Sequence, residues 1–143
     1  MPARGRDSPD LLVDTSVAVA LVVTDHDQHL PTFGELSGKR LGLCGHAAFE
    51  TYSVLTRLPP PARRTPAAVA RLLTQNFPSS RFLSVRAAAI LLAELDSLGI
   101  AGGSVYDALV GAAAAEHGIT LASRDRRALD TYRALNVRVE LVA

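Results

Sequence analysis

The segment Leu11-Leu12-Val13-Asp14-Thr15-Ser16 places a short apolar run directly before a carboxylate and two hydroxyl groups. A short apolar run bounded by polar residues is typical of a buried β-strand. A second run, residues 119–123, precedes Arg124 and Asp125 in the same way. In parallel sheets, sites form at the carboxyl ends of strands. If these two strands are neighbours, Asp14 and Asp125 should therefore face one crevice.

The rest of the chain alternates β-like runs with amphipathic helical runs, a pattern that favours an α/β fold with a parallel sheet covered by helices on both faces. Residues 1–10 read as a flexible N-terminal lead and residues 11–143 as a single domain. We predict about five strands, at residues 11–14, 40–44, 81–83, 119–122 and 137–141. We predict helices at residues 16–23, 27–36, 45–58, 65–77, 84–98, 104–118 and 126–135.

The composition fits one globular domain and argues against a disordered or a membrane-spanning protein. The chain has 143 residues, of which 48% are hydrophobic and 20% charged, too apolar for a disordered protein. No apolar run approaches the roughly 20 residues needed to span a bilayer, and the polar N-terminus does not resemble a secretory signal. Cys44 is the one cysteine, so no internal disulfide forms, and we expect a reducing, cytoplasmic location.

Two further acids, Glu50 and Asp107, lie on helix faces that also carry apolar residues. Acids facing apolar neighbours are costly unless something compensates them, and a divalent cation would compensate four together. Each acid also has a simpler explanation. Asp14 and Asp125 could cap the helices that follow them, and Asp107 could complete a capping box that begins at Ser104. Glu50 is expected in mid-helix, where it caps nothing.

In sequence order, the motifs around these acids are Val-Asp14-Thr-Ser, Glu50-Thr-Tyr-Ser-Val-Leu-Thr-Arg-Leu-Pro, Tyr-Asp107-Ala-Leu-Val and Ser-Arg-Asp125-Arg-Arg-Ala-Leu. From residue 11 to 141 the chain resembles the PIN-domain ribonucleases, in particular the VapC toxins of bacterial toxin–antitoxin pairs. The resemblance implies a three-layer PIN-like fold.

The same resemblance implies an activity and partners. It implies that Asp14, Glu50, Asp107 and Asp125 bind Mg²⁺ or Mn²⁺ and hydrolyse RNA phosphodiester bonds as an endoribonuclease. Thr15 and Ser123 would be hydroxyl partners of those acids. The expected partners are RNA, a small VapB-like antitoxin that covers the site, and a second copy of the chain in a homodimer, with no membrane association.

The remaining candidates have weaker sequence support. Arg124, Arg126 and Arg127 flank Asp125 and could hold substrate phosphates, although solvated charges at a helix start explain them as well. His26 and His29 are three residues apart but have no matching cysteine or glutamate nearby. Three tyrosines are expected in the core or at an interface, and two lone histidines in structural roles, namely Tyr52, Tyr106, Tyr132, His46 and His117.

Two other functions remain open at the level of sequence. Asp14 could be a phosphoacceptor, but such a site would call for a lysine late in the chain, and no lysine follows Lys39. Alternatively, the chain could be a non-catalytic PIN-like module that binds RNA or protein without cutting. An assay of RNA cleavage with Mn²⁺ separates these functions.

Overall fold

A computed structural model describes residues 8–142 of the protein. Its strands are β1 (Leu11–Val13), β2 (Leu41–Leu43), β3 (Leu121–Ser123) and β4 (Val139–Leu141). Its α-helices are α1 (Thr15–Val22), α2 (His29–Leu36), α3 (Ala47–Thr56), α4 (Pro66–Asn76), α5 (Val85–Glu94), α6 (Ser104–His117) and α7 (Leu129–Ala134), with a 3₁₀ turn at Arg126–Ala128.

The sheet is parallel throughout and has the order β2-β1-β3-β4. In the central strand β1, Leu11 and Val13 belong to one apolar cluster, whereas Leu12 belongs to another. Side chains of a strand alternate between the two faces of a sheet, so both faces of β1 are covered. The predicted three-layer α/β architecture is therefore confirmed, and β1 and β3 are neighbours as the site prediction required.

The prediction of a fifth strand at residues 81–83 is wrong. Only Arg81 forms a bridge, with Cys44. The neighbouring backbone turns at Gly45, which has a φ of 55°, and enters α3 at Ala47, so no strand continues beside residues 82 and 83. The chain just before this segment packs closely against β2. A Cβ added to Gly42 would lie 2.1 Å from the Ser79 carbonyl oxygen, so only glycine fits there.

The starts of three helices show where local sequence patterns hold and where they fail. Thr65 and Ser84 cap α4 and α5 through their hydroxyls, as the sequence indicates. The capping box at Ser104 is wrong, because Ser104 is already the first residue of α6 and Gly103 precedes it without a side-chain cap. Asp107 is then the fourth residue of the helix rather than the third, so its carboxylate cannot complete a capping box.

The two ends of the predicted domain differ in what the structure describes. Pro9 is fully buried, and Asp10 exchanges two 2.7 Å hydrogen bonds with the backbone of Arg40. Residues 1–7 of the predicted lead lie outside the described part of the chain. Within residues 8–142, no helix has both the length and the apolarity to cross a membrane.

Candidate active site

A small pocket of about 50 Å³ opens at the carboxyl ends of the central strands. Larger clefts exist elsewhere, including one of about 260 Å³ near Val23 and Arg64, but that cleft contains a single acid, Asp25. The small pocket brings together all four acids that the sequence singled out. It is lined by Asp14, Thr15, Ser16, Glu50, Asp107, Val110, Asp125 and Tyr132.

Asp14 is the most buried acid of this pocket, with 4% of its surface exposed. Its Oδ1 accepts from the Ser16 hydroxyl at 2.5 Å and from the Val17 backbone N–H at 3.3 Å. Its Oδ2 accepts from the Ser123 hydroxyl at 2.5 Å and from the Tyr132 hydroxyl at 3.0 Å. The side chain thus caps α1 and also faces the pocket, so the cap and the site are not alternatives. Four donors compensate its burial.

Glu50 is the fourth residue of α3 and lies in its first turn, so the prediction of a mid-helix position is wrong. A carboxylate in a first helical turn is stabilised by the helix dipole. The Thr15 hydroxyl donates to Glu50 Oε2 at 3.1 Å, and His46 Nε2 lies 3.3 Å from Oε1. The His46 ring in turn stacks on Tyr106, with centroids 5.1 Å apart.

The pKa of Asp107 reflects its burial and the negative charges of the pocket. Partial burial raises its pKa above the ordinary value of 3.8, and the nearby charges of Asp125, Glu50 and Asp14 raise the pKa further. Like charges disfavour the ionised form of an acid. The four acids therefore interact electrostatically, as expected of groups that share one site.

Asp125 caps the 3₁₀ turn that follows β3. Its Oδ1 accepts from the Arg127 backbone N–H at 3.0 Å and lies 3.6 Å from Arg127 Nε. Its own N–H donates to the Ser123 hydroxyl at 3.0 Å. Because Ser123 also donates to Asp14, one buried hydroxyl connects the two strand-end acids.

The sequence profile of the PIN domain family matches residues 11–134 of this chain. The chain belongs to the PIN domain family. It is 49% identical over 135 residues to Ribonuclease VapC27 of Mycobacterium tuberculosis (strain ATCC 25618 / H37Rv), covering 94% of this chain and 98% of that relative. Ribonuclease VapC40 of Mycobacterium tuberculosis (strain CDC 1551 / Oshkosh) is 46% identical over 133 residues, covering 90% and 96% of the two chains.

A solved structure shares the fold of this PIN domain. The structure is VapBC2 from Rickettsia felis bound to a DNA fragment from their promoter, which aligns with a TM-score of 0.65. The alignment covers 92% of this chain and 97% of that chain at 14% identity, so the likeness concerns the fold. The resemblance inferred from the sequence motifs is confirmed at the level of family and fold.

The three predicted phosphate-binding arginines of this PIN domain differ in position. The backbone N–H of Arg124 donates to the Ser16 hydroxyl at 2.9 Å, and its guanidinium lies 3.5 Å from the Ser16 carbonyl oxygen. Arg126 is exposed, and the Arg127 side chain is 95% exposed beside Asp125. None of the three lines the pocket itself, and their contact with phosphate stays a prediction.

The donors around this pocket fit a hard divalent cation, because Mg²⁺ and Mn²⁺ take carboxylate oxygens and water as ligands. Burial first, and then the charges of Asp125, Glu50 and Asp14, raise the pKa of Asp107, and a bound cation would offset the repulsion between these charges. In the present conformation, no three acidic, histidine or cysteine side chains within residues 8–142 are close enough to hold one ion. Mg²⁺ usually keeps several waters and is held by only one or two carboxylates of a protein, so binding does not require a group of three.

Three pocket contacts were not predicted from the sequence. Ser16 and Tyr132 bind Asp14, and His46 contacts Glu50. The spacing of four between His46 and Glu50 does predict a shared helix face. Nothing local predicts the contact of Tyr132, since it joins residues 118 positions apart.

Proposed function

We propose that this PIN-domain protein is a Mg²⁺- or Mn²⁺-dependent endoribonuclease and the toxin of a type II toxin–antitoxin pair, acting in the cytoplasm. The observation that carries the proposal is the gathering of Asp14, Glu50, Asp107 and Asp125 in one pocket. The high identity to proteins named Ribonuclease VapC supports RNA as the substrate.

In the proposed mechanism, a bound Mg²⁺ or Mn²⁺ would activate a water for phosphodiester hydrolysis and would shield the phosphate charge. Asp14, Glu50, Asp107 and Asp125 would hold it. The Ser123 hydroxyl orients Asp14, and the Thr15 hydroxyl orients Glu50. The arginines around Asp125 would hold phosphates of the RNA backbone. Single-stranded RNA is the expected substrate, since its unstacked backbone can reach a small pocket.

One observation favours the alternative of a non-catalytic PIN-like module that binds RNA or protein. In the present conformation, no three acidic, histidine or cysteine side chains among residues 8–142 are close enough to hold one ion. The two functions differ in whether RNA is cut, which the first experiment below decides.

Incubation of the purified protein with single-stranded RNA should give cleavage with Mn²⁺ and none with excess EDTA, because the nucleophilic water depends on the cation. Products are resolved on a denaturing gel. Restoring Mn²⁺ to the chelated sample should restore cleavage. RNA binding without cleavage at any Mn²⁺ concentration would contradict the enzyme proposal and support the binding module.

Asp107→Asn should stabilise the metal-free protein at neutral pH. A raised pKa means that ionised Asp107 is less favourable in the folded than in the unfolded state. This loss of folding stability is absent below the ordinary pKa of 3.8. It grows as the pH rises toward the pKa of Asp107 in the folded protein, and it is complete above that pKa. In thermal unfolding without metal from pH 3.5 to 7, the melting temperature of the variant should increase relative to that of the wild type as the pH rises.

The matched control for Asp107→Asn is Asp130→Asn, the same chemical change at a carboxylate whose side chain is 98% exposed. This control should leave the melting temperature nearly unchanged. Mn²⁺ should then raise the melting temperature of the wild type more than that of Asp107→Asn. Equal shifts in both proteins would remove Asp107 from the proposed site.

The proposed assembly includes a VapB-like antitoxin and a second copy of this chain. The structurally similar Rickettsia felis protein was solved within VapBC2. On this chain, large apolar side chains are exposed on α3 and α5, among them Phe49, Val85 and Leu92, at 66%, 90% and 74%. Contiguous exposed apolar surface is typical of protein contacts, so we propose the exposed faces of α3 and α5 as contact surfaces, and the homodimer stays a prediction.

A further inference from the structure

Tyr132 reaches the acidic pocket from the helix α7. The residue is 1% exposed, and its hydroxyl donates to Asp14 Oδ2 at 3.0 Å. A buried tyrosine hydroxyl needs a polar partner, but many acceptors would meet that need. The acceptor here is an oxygen of the most buried acid in the pocket.

A gap in the facing helix α6 makes room for the Tyr132 ring. A Cβ added to Gly111 would lie 3.0 Å from Tyr132 Cδ1, 3.2 Å from Leu135 Cδ1 and 3.3 Å from Val137 Cγ2. Glycine within a helix is less favourable than alanine by about 1 kcal/mol. Gly111 is also one helical turn after Asp107 on the same face, so the helix that leaves space for the ring is the one that carries a second acid of the pocket.

The Tyr132 hydroxyl completes the set of donors that surrounds Asp14. The Ser123 hydroxyl donates to the same oxygen, and the Ser16 hydroxyl and the Val17 N–H donate to the other. Because donors reach both oxygens of Asp14, they fix the orientation of the carboxylate from several sides. Groups that hydrogen-bond to a ligating side chain orient it and tune its affinity for metal.

We infer that Tyr132 is a positioning residue, which passes through the gap at Gly111 to orient Asp14 for a divalent cation. The inference rests on the proposed function. A merely structural role makes a different prediction, because loss of the hydroxyl would then lower stability and leave metal affinity unchanged.

The test is Tyr132→Phe, which removes the hydroxyl and keeps the ring against Gly111. Calorimetric titration of this variant with Mn²⁺, without RNA, should give a dissociation constant about tenfold higher than that of the wild type, or more. RNA cleavage at subsaturating Mn²⁺ should fall and should recover partly as Mn²⁺ is raised. The matched control is Tyr52→Phe, which removes the hydroxyl of an exposed tyrosine and should keep the wild-type affinity.

A second variant, in helix α6, perturbs the same hydrogen bond between Tyr132 and Asp14. Gly111→Ala should push the ring away from Asp14 and weaken Mn²⁺ binding without changing any donor. If both changes act through the Tyr132–Asp14 hydrogen bond, the double variant should bind Mn²⁺ about as weakly as Tyr132→Phe alone, since coupled substitutions are not additive.

The outcomes separate this inference from the function beneath it. If the wild type binds Mn²⁺ and cleaves RNA, but Tyr132→Phe binds Mn²⁺ with the same affinity, the positioning role is overturned. The proposed nuclease function would be unaffected by that result. Additive losses in the double variant would also overturn it. No Mn²⁺ binding by the wild type would overturn both the inference and the metal-dependent function.

Discussion

Asp14→Asn is expected to reduce RNA cleavage by more than about a hundredfold while the protein stays folded. Loss of a group that merely supports a metal ligand costs roughly 10–100-fold, and this substitution alters the proposed ligand itself. The amide keeps an oxygen that can cap α1, and asparagine caps helices about as well as aspartate. Cleavage rates at saturating Mn²⁺ and a thermal unfolding curve together measure the two effects.

The network around residue 14 explains why the variant should fold. An amide nitrogen in place of Oδ2 would face the hydroxyls of Ser123 and Tyr132, which now donate to that oxygen. A hydroxyl can also accept a hydrogen bond, so Tyr132 can reverse its role. The buried polar group would keep a partner, which limits the loss of stability.

Asp130→Asn again provides the same chemical change away from the pocket, and it should cleave RNA at the wild-type rate. If Asp14→Asn also cleaves RNA at nearly that rate, Asp14 only caps α1 and the proposed assignment of the four acids fails. If Asp14→Asn does not fold, Ser123→Ala provides a milder disturbance of the same carboxylate and should lower cleavage by about tenfold or more.

The sequence predicted the features of the site that depend on strand ends. Leu11-Leu12-Val13 had to be a strand buried on both faces, and the residue after it had to emerge at the carboxyl edge. The same reasoning placed Asp125 beyond β3. These inferences succeeded because strand neighbourhood, β1 beside β3, is enough to bring the two acids to one pocket.

Features that depend on single atoms were not predictable in this way. The fifth strand fails because one residue, Gly45, turns the neighbouring backbone toward α3 with a φ of 55°, so residues 82 and 83 have no strand to pair with. The capping box at Ser104 fails because α6 starts one residue earlier than the pattern requires. The Thr15–Glu50 and Tyr132–Asp14 contacts join residues 35 and 118 positions apart. Only tertiary packing brings them together.

A small antitoxin is expected to inhibit cleavage by placing an arginine among Asp14, Glu50, Asp107 and Asp125. The pocket repels its own charges, as the raised pKa of Asp107 indicates, and a guanidinium can bind carboxylates with two parallel hydrogen bonds. Arginine and metal would then compete. Expression of this chain alone should arrest growth, and co-expression of the product of the adjacent small gene should relieve the arrest.

Competition for one pocket also has a quantitative signature in the purified complex. Once Mn²⁺ exceeds its own dissociation constant, the inhibition constant of the antitoxin should rise in proportion to Mn²⁺, because each ligand binds only the form that lacks the other. Changing the inhibitory arginine to glutamine should remove this dependence on Mn²⁺, whereas changing another exposed arginine of the antitoxin should not. An inhibition constant that is independent of Mn²⁺ would place the antitoxin outside the acidic pocket. Absence of growth arrest would remove the toxin role and leave the nuclease to be judged by RNA cleavage.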